Sequence, residues 1–234
     1  MRIITYNTRG SLGMDDVRST QRIAETVRPY SADVICFQEI YERIPPPLED
    51  QPARLASMLN RRFTFQRCLD FAFGGYGNGI ATTAAGEVFR HILPSGKEQR
   101  GALEIRLRHV GGLASLTVFC THWGLADSER MLQAEALANL VLAAPRPIVV
   151  AGDLNETPAG QAVVDLLSRT GLIDSGAPFY RPTFISNNPT VQIDYILHSP
   201  DLRVASFEVI RSEASDHLPV MVDLVPGALP PPKR

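Results

Sequence analysis

The sequence predicts a single α/β domain in which two β-sheets pack face to face, with helices on their outer faces. Hydrophobic residues make up 44% of the 234-residue chain, which is enough for a large core. Short apolar runs rich in β-branched residues recur along the chain, and about four longer segments carry apolar residues at helical spacing. No linker or internal repeat interrupts this pattern, so two facing sheets would bury most of the apolar runs.

Strands are predicted where apolar runs are short or alternate with polar residues. The runs at 32–37 and 148–151 are continuously apolar, which indicates strands buried on both faces. The run at 101–108 alternates, which indicates a half-buried strand, and 64–73 is ambiguous, a strand running into an aromatic loop. The complete set of predicted strands is 2–6, 32–37, 64–73, 80–83, 87–93, 101–108, 113–120, 148–151, 191–197, 204–210 and 219–225.

Helices are predicted at 17–30, 51–60, 128–144 and 159–168. The last of these would begin with Thr157 as its N-cap and Pro158 at its first position. The helix at 128–144 has the clearest apolar face, formed by Leu132, Ala136, Leu137, Leu140 and Val141.

Three segments are predicted to be irregular. A loop is expected at 45–47, where three prolines follow one another, and residues 226–234 are expected to form a flexible Pro-rich tail after a domain at 1–225. The glycine-rich stretch 74–79 is predicted to be a bend. It is not followed by the Gly-Lys-Ser/Thr of a phosphate-binding P-loop, so we reject that interpretation.

Charge and cysteine content restrict the partners and the compartment. The formal net charge is -2, so no general basic field attracts nucleic acid. Cys36 and Cys120 lie in apolar runs and are predicted to be buried free thiols rather than a disulfide. No membrane span and no leading signal segment is expected, so the predicted location is cytoplasmic.

The stretch 147–158, PIVVAGDLNETP, combines a buried strand with an acidic end. Asp153 and Asn155 follow the strand two residues apart, so their side chains are expected to point toward one site. The alternative is that both residues only form a turn, as Asx residues often do. The same placement recurs elsewhere, because Asn7, Glu39 and His122 each follow a predicted strand, Asp194 lies within one, and Asp216 and His217 precede one. Catalytic residues gather at strand ends and adjoining loops, so these side chains are predicted to form a site.

These segments resemble the ordered motifs of the endonuclease/exonuclease/phosphatase superfamily: TYNTRG, FQEI, THWGL, GDLNETP, QIDYIL and SDHLPV. The superfamily includes deoxyribonuclease I, exonuclease III, inositol polyphosphate 5-phosphatases and neutral sphingomyelinases. The resemblance runs from Thr5 to Val220. It implies a four-layer α/β/β/α sandwich like that of deoxyribonuclease I, with two mostly antiparallel central sheets. It also implies hydrolysis of a phosphate ester by in-line attack of water, dependent on Mg²⁺ or Mn²⁺.

The resemblance also implies a role for each residue. Glu39 would be the main metal ligand, with Asn7 supporting the ion or the phosphate through its amide oxygen and Asp216 supplying a second carboxylate. Asp153 would deprotonate the attacking water and Asn155 would hold it or the phosphate in line. His217, protonated and held by Asp194, would bind a phosphate oxygen. His122 would donate to the phosphate or protonate the leaving oxygen. His91, His109 and His198 fit no motif.

The expected substrate is a small phosphodiester or phosphomonoester, or a lipid headgroup. Arg9 stands where abasic-site endonucleases of the superfamily usually carry an acidic residue, which counts against DNA repair. A DNA or RNA nuclease is the alternative within the enzyme class, and a degenerate binding module is the alternative outside it. The candidate substrate-binding residues are Arg100, Asn78 and Trp123, and Phe71, Phe73, Tyr76 and the pair at 179–180 add aromatic surface near the expected mouth.

Overall fold

The computed structural model of the protein describes residues 1–44 and 49–227. The predicted loop at 45–47 and residues 228–234 of the predicted tail lie outside this part of the chain. Within the described ranges, no helix is both long enough and apolar enough to cross a membrane.

Groups of strands are separated along the chain by single α-helices. The strands are β1 (Arg2–Asn7), β2 (Val34–Ile44), β3 (Glu49–Asp50), β4 (Arg62–Phe71), β5 (Gly74–Thr82), β6 (Ala85–Leu93), β7 (Arg100–Val110), β8 (Leu113–His122), β9 (Ile148–Asp153), β10 (Ile173–Asp174), β11 (Asp194–His198), β12 (Leu202–Val209) and β13 (Val220–Pro226). The helices are α1 (Thr20–Val27), α2 (Gln51–Leu59), α3 (Asp127–Ala143) and α4 (Gln161–Thr170).

These strands form two sheets, each built around one parallel pair. The first sheet has the order β12-β13-β1-β2-β5-β4, with β3 paired to β2, and the second has the order β10-β11-β9-β8-β7-β6. The parallel pairs are β1 with β2 and β8 with β9, while the other pairings are antiparallel. In the second sheet β8 and β9 end side by side at one edge, whereas in the first sheet β1 ends at Asn7 and β2 continues past it to Ile44.

Three hydrophobic clusters separate four layers. One lies between the sheets and joins residues such as Ile3 and Val34 to Leu103 and Val149. A second lies under α3 and α4 on the second sheet, and a third lies under α1 and α2 on the first. The four-layer α/β/β/α sandwich is therefore confirmed. Cys36 and Cys120 are buried and free, as predicted.

The prediction of a bend at 74–79 is wrong, because these residues belong to β5, which is buried along its whole length. The glycines serve close packing between neighbouring strands. A Cβ at Gly74 would collide with the carbonyl oxygen of Glu42, and one at Gly77 would collide with the carbonyl oxygen of Gln66. Glycine in a strand often marks such close approaches, and the sequence pattern alone does not distinguish them from a turn.

Two helix predictions need correction. Leu132 is 54% exposed, since α3 turns a face rich in alanine toward the sheet, with Ala134 and Ala138 fully buried. The helix at 159–168 begins later than predicted, at Gln161 with Gly160 as its N-cap. Residues 157–160 instead form a turn in which the Gly160 amide donates to the Thr157 carbonyl over 2.9 Å.

Candidate active site

Three polar side chains lie in one row across adjacent strands of the second sheet. His122 at the end of β8 is in register with Asp153 at the end of β9, and Asp153 is in register with Asp194 at the start of β11. Residues in register on neighbouring strands point to the same face, so the pairing alone brings the imidazole and the two carboxylates together. All three residues are at least 95% buried.

The first sheet contributes Glu39 through a break in the pairing of β2. The register of β2 against β5 shifts between Phe37 and Ile40, and Glu39 has a φ of +57°. A β-bulge of this kind re-aims a side chain without ending the strand. The expectation that the strand ends at Glu39 is therefore wrong, since β2 continues to Ile44.

Asn7 joins the two sheets at the site. Its Nδ2 group donates to Glu39 Oε1 over 3.1 Å and to Asp153 Oδ2 over 2.9 Å. Its Oδ1 accepts the backbone N–H of Arg9 over 3.1 Å. The amide oxygen, which we expected to face an ion or a phosphate, is therefore engaged by the backbone, and Asn7 meets the site through its nitrogen.

His217 lies among carboxylates. Its Nδ1 is 2.9 Å from Asp194 Oδ2 and its Nε2 is 3.7 Å from Asp153 Oδ2. Burial alone would lower the pKa of His217, but the charges of Asp194 and Asp153 outweigh burial and raise this pKa to about 10. The imidazole is therefore held in its charged form at neutral pH, with both ring nitrogens protonated.

His122 lies among hydrogen-bond donors. Arg100 directs Nη1 at its Nδ1 over 2.9 Å, and the Tyr76 hydroxyl lies 3.4 Å from the same nitrogen. Burial lowers the pKa of His122 well below its ordinary value, and the charges of Arg100 and His217 lower it further. A guanidinium only donates, so Nδ1 accepts and the single ring proton belongs on Nε2. The lowered pKa favours a neutral ring at this position, and Arg100 contacts the side of the ring that carries Nδ1.

Asp153 and Asn155 form both a turn and part of the site. The Asn155 N–H donates to Asp153 Oδ1 over 2.8 Å, which is the Asx turn considered as the alternative. Asn155 has a φ of +48°, and its Nδ2 lies 3.1 Å from His122 Nε2. Burial raises the pKa of Asp153, and Asp194 raises it further, against the charge of His217. A carboxylate with a raised pKa is a better proton acceptor near neutral pH.

Two groups of side chains offer cation ligands. Glu39 and Asp216 line the cavity with partly exposed carboxylates, and oxygen donors of this kind suit Mg²⁺ or Mn²⁺. Burial also raises the pKa of Glu39, as expected for a carboxylate that lacks a strong counter-charge. The second group, Asp153, Asp194 and His217, has ligand atoms within 4.8 Å of one another. A protonated imidazole has no lone pair to offer, so the first group fits a cation better.

A cavity of about 490 Å³ contains these groups. Of the predicted site residues, the structure brings seven to its lining and two more directly behind it. The lining set is Glu39, Arg100, His122, Asp153, Asn155, Asp216 and His217. Asn7 and Asp194 stand directly behind through the hydrogen bonds described above.

Asn78 and Trp123 are not among the described residues that line the cavity. Asn78 is 2% exposed and donates to the Gly101 carbonyl, which ties β5 to β7. Trp123 is fully buried in the cluster under α3 and α4, because the chain turns inward after His122. Phe179 stacks on Phe207 outside the cavity lining.

Sequence reasoning missed five of the described lining residues, Tyr41, Leu69, Glu98, Leu125 and Phe184. Tyr41 follows Glu39 by two residues, on the part of β2 that lies beyond the predicted strand at 32–37. Phe184 packs on His217 with ring centroids 4.8 Å apart. Tyr41 and Glu39 are two residues apart, the spacing of side chains on one face of a strand. A predicted strand that extended past Glu39 would therefore have placed Tyr41 beside the site.

Residues 4–217 match the model of the Endonuclease/Exonuclease/phosphatase family, and the chain belongs to this family of hydrolases. In sequence, it is similar to YbhP of Escherichia coli (strain K12), with 30% identity over 146 residues. That match covers 57% of this chain and 58% of YbhP, so it spans less than two thirds of the relative's length.

Solved structures share the fold at lower identity. An endonuclease/exonuclease/phosphatase from Beutenbergia cavernae superposes with a TM-score of 0.84 at 24% identity, over 97% of this chain and 72% of that one. A mannosyl-6-phosphatase from Bacteroides thetaiotaomicron superposes with a TM-score of 0.80 at 20% identity, over 96% of this chain and 99% of that one.

Proposed function

We propose that this protein is a divalent-metal-dependent phosphoesterase that hydrolyses a small phosphodiester or phosphomonoester, or a lipid headgroup, by in-line attack of water. The observation that carries the proposal is the position of Asp153. Its carboxylate lies 3.5 Å from His122 Nε2 and 3.7 Å from His217 Nε2, and it accepts a hydrogen bond from Asn7. A buried carboxylate between two imidazoles in an open cavity suits proton transfer beside a phosphoryl group.

Glu39 and Asp216 would hold the cation, Mg²⁺ or Mn²⁺, which when bound supplies positive charge to the phosphoryl oxygens. Asn7 would support this arrangement by fixing Glu39 with its amide N–H. The Arg9 side chain, with Nε 3.5 Å from Asp216 Oδ2, adds a positive group at the same edge of the cavity.

The proton acceptor is Asp153. Its raised pKa allows it to take a proton from an attacking water. The Asx turn with Asn155 holds Oδ1 of Asp153 and so fixes the direction of Oδ2. Asn155 presents its amide beside His122, where it would hold the water or the phosphate in line.

The two histidines would have different roles in the proposed reaction. His217, charged and fixed by Asp194, would bind a non-bridging phosphate oxygen as negative charge builds there. His122, neutral and fixed by Arg100, would donate a hydrogen bond from Nε2 to the phosphate. This replaces protonation of the leaving oxygen by His122, because a neutral imidazole with a lowered pKa is a poor acid.

A nucleic acid is the second candidate substrate, and the charge of the cavity disfavours it. Four lining residues are carboxylates, Glu39, Glu98, Asp153 and Asp216. Long polyanions draw most of their binding free energy from arginine and lysine contacts to many phosphates. One of the structural relatives acts on a sugar phosphate by its name, which is consistent with a small substrate for this chain.

The test is a substrate panel with Mg²⁺ and with Mn²⁺. It contains plasmid DNA, single-stranded DNA, RNA, sugar phosphates, model phosphodiesters and phospholipid headgroups at equal enzyme. The expected result is metal-dependent hydrolysis of small esters with only weak nicking of plasmid. Efficient nicking that is lost in Asp153→Ala and exceeds every small substrate would make the nuclease correct.

The cation assignment has a separate test. Glu39→Gln keeps the shape of the side chain and removes its charge, so calorimetry should show weaker Mg²⁺ or Mn²⁺ binding together with a loss of turnover. Asp174→Asn is the matched control, because Asp174 is a buried carboxylate that does not line the cavity among the described residues. Unchanged cation binding in Glu39→Gln would refute the role of Glu39.

A further inference from the structure

One side of the cavity carries no catalytic group. It is formed by Tyr41, Leu69, Phe71 and Tyr76, which we call the aromatic wall. A cavity of about 490 Å³ falls within the range of roughly 300–1000 Å³ typical of small-molecule sites. The space therefore exceeds what a phosphate group fills, and the aromatic wall faces the remainder.

The bulge at Glu39 and the close packing at the glycines of β5 allow the aromatic wall to form. Because β2 continues past the bulge, Tyr41 pairs with Tyr76 of β5, and β4 adds Leu69 and Phe71 on the other side of β5. The Tyr41 and Phe71 rings stack with centroids 6.0 Å apart and planes at 17°. The Tyr41 and Tyr76 rings lie 5.0 Å apart at 59°. Mutual packing thus holds the rings in place.

The aromatic wall directly adjoins the proposed phosphate position. The Tyr76 hydroxyl lies 3.4 Å from His122 Nδ1, and Tyr41 lies two residues beyond Glu39. Leu125 and Phe184 also line the cavity, and Leu125 is 75% exposed. A group attached to a phosphate beside His122 would thus meet carbon on more than one side.

The chemistry of the aromatic wall favours an apolar group over a polyhydroxylated one. Its four side chains carry two polar atoms, the hydroxyls of Tyr41 and Tyr76, and the second faces His122. A sugar or glycerol placed there would lose hydrogen bonds to water without enough replacements. An aromatic ring would instead pack on Phe71, which is 51% exposed, and cover it.

We propose that the phosphate ester taken by this site has an apolar, ring-containing alcohol, whose ring packs on Phe71 and Leu69. This rests on the proposed phosphoesterase function, and it narrows the substrate class from any small ester to aromatic or similarly apolar esters. The phosphate would occupy the side of the cavity with His122, Asp153 and His217, and the ring would occupy the side with the aromatic wall.

The test compares esters that differ in the alcohol alone. Benzyl phosphate and glycerol 1-phosphate both release a primary alcohol, and their methyl diesters form a second pair. The expected preference in kcat/KM for the benzyl ester is about tenfold or more, the size of effect that an apolar pocket gives. In Phe71→Ser, kcat/KM for the benzyl ester should fall about tenfold and that for the glycerol ester should change less than about twofold.

Phe73→Ser is the matched control. Phe73 is 68% exposed on the same hairpin and is not among the described residues lining the cavity. Its replacement should change neither ester. Equal rates for both wild-type esters, or an equal loss for both in Phe71→Ser, would overturn this inference and leave the phosphoesterase function standing.

A binding measurement tests this inference independently of the proposed phosphoesterase function on which it rests. Calorimetry with benzylphosphonate and with 2,3-dihydroxypropylphosphonate needs no turnover. Tighter binding of the benzyl compound that weakens in Phe71→Ser, together with no hydrolysis of any ester, would support the aromatic wall as a binding surface and overturn the proposed function. Equal binding of the two phosphonates would overturn the inference.

Discussion

His122 and His217 occupy two sides of one cavity, and both are 5% exposed, yet the groups at their Nδ1 atoms carry opposite charges. His217 faces Asp194 and Asp153, which raise its pKa to about 10. His122 faces Arg100 and Tyr76, and burial together with the arginine lowers its pKa. The two histidines are equally buried, so burial does not explain the difference between their pKa values. The neighbours decide which imidazole is charged.

In the proposed reaction, this difference would give the two histidines different roles at a single phosphate. A charged histidine stabilises negative charge that develops on an oxygen, while a neutral one donates one hydrogen bond of fixed direction. Four substitutions break or sharpen this contrast, and each acts on a different contact.

Asp153→Asn has the largest expected effect, because Asp153 lies within 3.7 Å of both rings. Turnover should fall by about 10³-fold, within the range for loss of a general base. The pKa of His217 should also fall, since one of the three carboxylates that raise it is gone. Steady-state kinetics measures the first effect and an NMR titration the second. Asp174→Asn should leave both unchanged, and a fully active Asp153→Asn would refute the central role of this carboxylate.

Asp194→Asn removes the carboxylate that contacts His217 Nδ1. A raised pKa means that the charged form persists to alkaline pH and is lost as pH rises through that pKa, so removing Asp194 lowers the pKa. The alkaline limb of the pH–rate profile should move to lower pH, with a loss of about 10²-fold in turnover near pH 8. A profile that keeps its alkaline limb would show that Asp194 does not control the charge of His217.

Arg100→Gln removes the guanidinium that contacts His122 Nδ1. Loss of the guanidinium removes a repelling charge, so the pKa of His122 should rise, and loss of the hydrogen bond frees its tautomer. We expect about a tenfold fall in kcat with the His217 titration unmoved. Arg100→Lys keeps the charge and serves as the control for the pKa. If the NMR titration of His122 is the same in all three proteins, Arg100 does not set its charge.

Tyr76→Phe has the smallest expected effect on the same histidine. The hydroxyl lies 3.4 Å from Nδ1, where Arg100 already provides a shorter contact. The expected change in kcat is about threefold or less, in line with loss of one weak neutral hydrogen bond. A loss as large as that of Arg100→Gln would mean that the hydroxyl, rather than the guanidinium, fixes the ring.

Much of the fold and the location of the site could be predicted from the sequence. The continuous apolar runs before Asp153 and around Val34 predict strands of the two facing sheets, and both strands carry a site residue, Asp153 on β9 and Glu39 on β2. The ordered motifs then bring Asn7, Glu39, His122 and His217 to the same site. Local pattern and chain order suffice here, because the parallel pairing of β8 and β9 aligns their ends.

The rest depends on contacts between distant segments. Arg100 faces His122 because β7 pairs with β8, and nothing in the residues near 100 indicates which histidine they meet. The bulge at Glu39 depends on the pairing of β2 with β5, so the extension of β2 that holds Tyr41 was missed. Trp123 was expected at the surface because it follows a site residue, but the packing of α3 and α4 buries it.

The hydrogen bond between Ser215 and Asn7 bears on when the site can be completed during synthesis. Ser215 Oγ donates to the Asn7 carbonyl over 2.8 Å, across 208 residues of sequence, and β13 lies beside β1. During synthesis, the early strands emerge long before residue 217, so the site is incomplete until nearly the whole of this sequence has left the ribosome. The proposed activity would therefore appear during synthesis only after β13 has paired with β1.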